Sequence, residues 1–177
     1  MKPREPEPVK LVVNLFSAEE GLFPEVLGRL RERFGPLDFL SGPIAFDHTD
    51  YYAGEFGGGP LKRKVASFEE LVRSEDLSSI KIYTNGLEEG YRKDGGGRRV
   101  NIDPGYLCLE RFILASCKNF SHRIHIGQGV YADLTLVYKD GEFRPLEWTY
   151  PDYGGAVLRR MLFRIRTRYA FRIGRGL

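Results

Sequence analysis

His122-Arg-Ile-His-Ile-Gly-Gln-Gly-Val-Tyr-Ala-Asp-Leu-Thr-Leu-Val-Tyr138 consists of two alternating runs joined by Gly127-Gln128-Gly129. Such punctuation between such runs reads as an antiparallel hairpin. Lys139-Asp140-Gly141 repeats the signal and leads into residues 142–148. Hairpins demand antiparallel pairing, so they decide the fold class: α+β or mixed α/β, with a mixed or antiparallel sheet flanked by helices. Alternation sends Ile124 and Ile126 to one face and Arg123 with His125 to the other, while Tyr131, Asp133 and Thr135 share a face of the return strand. In register, those sets bring an arginine, an imidazole, a carboxylate and a hydroxyl together.

Upstream, residues 9–16 read as a buried strand. Ser17 followed by Glu20 is a capping-box pattern for a helix to about Phe34, with Phe23, Val26, Leu27 and Leu30 on one face and Gly35-Pro36 as its stop. Residues 37–52 look extended, and Gly57-Gly58-Gly59-Pro60 is a loop. A second capping-box pattern, Ser67 with Glu70, predicts a short helix to Val72, and residues 80–83 read as a strand entering a Thr84-Asn85-Gly86 turn. Gly95-Gly96-Gly97 is another loop, and residues 99–103 are extended before a Pro104-Gly105 turn. Residues 106–116 are apolar enough to be buried, with helix and strand both open. Leu158, Met161, Leu162, Ile165 and Tyr169 recur at helical spacing and predict a C-terminal basic amphipathic helix. A chain of 177 residues is expected to form one domain over 9–177, and residues 1–8, alternating proline with charge, a flexible lead-in.

The composition, 42% hydrophobic and 29% charged, is globular, with no run long enough to span a membrane and no apolar leader at the start, so a cytoplasmic address is expected. Cys108 and Cys117 lack metal or disulfide spacing and read as buried thiols. Gln occurs once and Asn four times against plentiful Arg and Glu, a balance expected of a heat-adapted source. The net charge of +3 is uneven: seven arginines follow Leu158 with no acid among them, leaving the preceding chain net acidic.

Chemistry concentrates in the middle of the chain. Arg123 and Lys118 offer cations for a phosphate, and Asp103, His125 and Asp133 are the candidate acids and bases. The alternative is a solvated sheet face held by cross-strand charge pairs. Asn101 joins Asp103 at a strand end, although Asp103 before Pro104-Gly105 also fits a turn opener. Tyr150-Pro-Asp152-Tyr153, behind Trp148, places two phenols and a carboxylate in one turn, suited to stacking on a base or sugar, or to closing a core. Asp47, His48, Tyr51, Tyr52 and Glu55 form a further polar and aromatic knot. His48, His122 and His125 lack the spacing of a convincing metal site, although His125 and Asp103 could share one; no structural metal is expected, and neither phosphate-loop pattern occurs. The arginine tail, interleaved with Tyr169 and Phe171, fits RNA or a partner's acidic patch.

Gly35-Pro-Leu-Asp38, Thr49-Asp-Tyr-Tyr52, Glu55-Phe-Gly57, Thr84-Asn85 with Glu88, Val100-Asn-Ile-Asp-Pro-Gly-Tyr-Leu107, Leu114-Ala-Ser-Cys-Lys118, His122-Arg-Ile124, Gly129-Val-Tyr-Ala-Asp-Leu-Thr-Leu136 and Trp148-Thr-Tyr-Pro-Asp-Tyr153 together resemble the DUF4416 family of bacteria and archaea. The resemblance spans nearly the whole chain and implies kinship without an activity. Phe56, Asn119 and Asp133 depart from the Met, Asp and Glu that the resemblance leads one to expect, which argues against a catalytic acid at Asn119. The expected function is binding of, or action on, a small phosphorylated or nucleotide-like molecule; the alternatives are RNA binding and non-catalytic partner docking.

Overall fold

A computed structural model describes residues 2–46, 56, 60–95 and 97–175. The chain runs β1 (Val9–Ser17), α1 (Leu22–Phe34), β2 (Leu37–Leu40), β3 (Ile44–Phe46), β4 (Leu61–Val72), α2 (Leu77–Gly90), β5 (Asn101–Leu107), β6 (Arg111–Ser116), β7 (Arg123–Gly127), β8 (Val130–Lys139), β9 (Glu142–Pro145), α3 (Pro151–Gly154) and α4 (Ala156–Arg172). Among the described residues nine strands form one sheet in the order β2-β4-β1-β5-β6-β8-β7, with β3 beside β4 and β9 beside β8. Every pairing is antiparallel, as the hairpins require.

Helices cover both faces, so β1 is buried along its whole length and its sequence is a near-continuous apolar run. Leu11, Val13 and Leu15 pack with Phe23, Val26, Leu27 and Leu30 of α1 and Ile80 of α2. Val12 and Val65 face the other way, toward Leu158, Leu162, Ile165 and Tyr169 of α4. No described helix is long and apolar enough to cross a membrane.

Several local expectations are overturned. The capping box at Ser67 does not form: 61–72 is one long strand, because hydrogen bonding to β1 on one side and β2 on the other outweighs a local helix signal. Residues 80–86 are helical rather than strand and turn, since Leu77, Ile80, Lys81 and Thr84 bury one face at helical spacing. Ser17 does not cap α1 either; it ends β1, where its hydroxyl donates to Arg99 O at 2.6 Å and accepts from Glu19 N at 2.9 Å. Pro104-Gly105 lies inside β5, and a Cβ on Gly105 would stand 2.3 Å from Ile113 O, so only glycine permits β6 to approach. Residues 106–116 resolve into the end of β5, a turn and β6, and residues 142–148 into the short β9 and a turn. The polar knot at residues 47–55 lies outside the described residues.

Candidate functional site

Across the β7–β8 hairpin, Arg123 stands opposite Asp133 and His125 opposite Tyr131, as alternation requires. Asp133 is 5% exposed and is met from several sides. Arg123 donates from Nε to Asp133 Oδ2 at 2.8 Å, from Nη1 to Ser116 Oγ at 3.1 Å and Lys118 O at 2.9 Å, and from Nη2 to Tyr150 OH at 3.4 Å. The imidazole that reaches Asp133 is His122, with Nε2 at 3.3 Å from Oδ2, while the exposed His125 lies against the Tyr131 ring at 5.3 Å. His122 in turn stacks on Trp148, centroids 5.0 Å apart and planes within 10°. The indole is anchored by its own N–H, which donates to Leu134 O at 2.8 Å.

The same sheet face carries a second arginine. Asn14 interrupts the apolar β1, and its Oδ1 accepts from Arg63 Nε at 3.0 Å and Nη2 at 2.7 Å. Arg63 Nη1 donates to Asp152 Oδ2 at 3.0 Å, and the guanidinium lies over the rings of Phe16, at 5.1 Å, and the buried Tyr153, at 4.4 Å. A carboxylate, an amide and two aromatic faces surround this buried guanidinium and offset the cost of its burial. The segment containing Tyr150 and Asp152 thus ties Arg123 on one half of the sheet to Arg63 on the other. Asn14 Nδ2 and His122 Nδ1 are buried and have no partner among the described residues.

A third group lies where the sheet opens. β5 and β6 pair only over 105–107 and 112–114, and continuing that register by two residues puts Asp103 level with Ser116. Beyond the pairing, α2 supplies what a neighbouring strand would: Ile102 N donates to Glu88 Oε1 at 2.7 Å, and Lys81 Nζ donates to Ile102 O at 3.0 Å. Lys81 also donates to Asp103 Oδ1 at 3.4 Å, and Asn101, held by Arg98, donates to Asp103 Oδ2 at 2.7 Å. Burial pushes the Glu88 carboxyl up to about 7, against the opposing pull of Lys81 and the Ile102 N–H. A carboxyl poised there can give or take a proton near neutrality.

The family described as Domain of unknown function (DUF4416) matches residues 7–169. The chain belongs to the DUF4416 family. No curated protein and no solved structure matches it. In this DUF4416 protein the expected residues Asn101, Asp103, Lys118, Arg123, Asp133, Tyr150, Asp152 and Tyr153 are shared among the three groups, with Tyr153 in the core and Lys118 exposed. Sequence reasoning passed over Asn14, Arg63 and Lys81, and it met Glu88 only as part of the family pattern, with no role assigned. The signals were a polar residue inside Leu11-Val-Val-Asn-Leu-Phe16 and, once 77–90 is a helix, Lys81, Thr84 and Glu88 on one side of it.

A cavity of about 240 Å³ lies at the other end of the sheet, lined by Val9, Tyr106, Cys108, Arg111 and Tyr169 among others. The buried polar groups, not that cavity, hold the charged network. Among the described residues no three His, Cys, Asp or Glu side chains are grouped to hold a metal ion. The arginine tail is partly internal: Arg159 bonds Gly154 O and Phe143 O, Arg166 bonds Leu109 O with Tyr138 beneath it at 3.5 Å, and Arg175 pairs with Glu7. Arg160, Arg164 and Arg172 are exposed.

Proposed function

We propose that the protein binds a small phosphorylated or nucleotide-like molecule on the α3 side of the sheet, at the outer edge of Arg123. The observation that carries this reading is the unequal set of bonds around that guanidinium. Asp133, Ser116 and the Lys118 carbonyl hold it at 2.8–3.1 Å, whereas Tyr150 OH sits at 3.4 Å, longer than an ordinary hydrogen bond. A phosphate oxygen replaces that contact with a stronger, charge-assisted one, and Lys118 brings a second positive charge to the rim. If the bound molecule is also turned over, Asp103 and Glu88 are the acid–base candidates, with Asp133 holding the cation in place.

A thermal-melt panel of inorganic phosphate, sugar phosphates, nucleoside mono- and triphosphates and short RNA tests the reading, because a ligand of the folded state raises the midpoint by mass action. The expected result is a shift with a small phosphorylated compound that Arg123→Lys abolishes. No shift with any of them, or one indifferent to Arg123, overturns it. A shift with RNA alone that fades as salt is raised supports instead an interface built on Arg160, Arg164 and Arg172 beside the exposed Phe163 and Phe171.

A further inference from the structure

Three large aromatic side chains around Arg123 are not spent on the core. Phe120 is 63%, Trp148 39% and Tyr150 53% exposed, and all adjoin the same charged centre. Phe120 meets His122 edge-on at 5.4 Å, Trp148 covers the same imidazole flat at 5.0 Å, and Tyr150 OH accepts from Arg123. Trp148 is held by its bond to Leu134 O and stacked on His122, and it still leaves 39% of its surface exposed. Behind it, His122 has a side chain 8% exposed and an Nδ1 with no partner among the described residues. Clustered exposed aromatics mark a contact surface, and a rigid indole beside a guanidinium is suited to a ligand that is a flat ring at one end and an anion at the other.

We propose that the ligand is a nucleotide, its base stacked on the open part of Trp148 between Phe120 and Tyr150 and its phosphate on the Nη edge of Arg123. This inference rests on the phosphate-binding reading above and adds the base to it. The carboxylate of Asp133, which shares this face, is already paired with Arg123 at 2.8 Å.

Trp148 is the chain's single tryptophan, so its fluorescence reports on this surface alone. The full chain is titrated with the four nucleoside monophosphates, ribose 5-phosphate and inorganic phosphate, following fluorescence and heat. The expected result is saturable quenching by at least one nucleotide, with affinity about tenfold above that of ribose 5-phosphate. Phe120→Ala, at an exposed position, and Trp148→Phe, which keeps a ring on His122, then weaken the nucleotide severalfold in calorimetry and leave ribose 5-phosphate unchanged. Equal affinity for nucleotide and ribose 5-phosphate without quenching overturns the base platform while the phosphate reading stands. No heat and no quenching with any of these compounds overturns both. Quenching by an oligoribonucleotide and not by mononucleotides also overturns it, in favour of an RNA interface.

Discussion

Arg63 is the clearest case of a residue whose meaning is set by what surrounds it. In sequence it is one of three basic residues in Lys62-Arg-Lys64, and a charge run of that kind is ordinarily a solvated face. In the fold it is 4% exposed, bonded to Asn14 and Asp152 and sandwiched by Phe16 and Tyr153. Arg63→Ala removes a buried cation from between a buried amide, a carboxylate and two aromatic rings, so it is expected to lower stability by about 3–5 kcal/mol in urea unfolding. A loss under about 1 kcal/mol, the value of an exposed pair, would show that the network is solvated after all.

At the scale of elements, α2 acts as a surrogate strand for the free part of β5, and its Glu88 makes that contact sensitive to pH. The folded-state carboxyl titrates near 7 against an ordinary 4.5, so between those values the folded chain keeps a proton that the unfolded chain has released. Stability therefore declines as pH rises through that window and levels off above it. Glu88→Gln, uncharged throughout, removes this part of the slope, on the order of 1–3 kcal/mol between about pH 5 and about pH 8. Urea midpoints of the two proteins at those values decide the matter. If the parent protein and the variant show the same change between them, Glu88 does not titrate in this range.

The whole molecule depends on α4 as a wall of its core. Leu158, Leu162, Ile165 and Tyr169 are buried against Val12, Val65 and Phe112 of the sheet, and each such burial is worth about 1.5–3 kcal/mol. Removing residues 159–177 is thus expected to abolish cooperative melting, and it cannot serve as a test of the arginines. Replacing Arg160, Arg164 and Arg172 by Glu together leaves the buried face untouched, and a melt close to that of the parent chain is expected. A truncated chain that still melts cooperatively would mean that α4 is a detachable tail.

The hairpin at 122–138, β1, the body of α1 and the C-terminal helix were legible in the sequence because their signals are local: a period of two or of 3.6 read within one window, with glycine at the turns. Membership of the Arg123–Asp133 pair was legible for the same reason, since hairpin register follows from alternation. Tertiary structure alone decided that 61–72 is a strand and 77–90 a helix, because the deciding partners, β1 and β2 for one and the buried sheet face for the other, are remote in sequence. It also decided which polar residues meet. Arg63 reaches Asn14 and Asp152 across separations of 49 and 89 residues, and Glu88 finds the Ile102 N–H only because β6 stops short of it. No local pattern encodes such encounters; they follow from how the strands are ordered and where their pairing ends.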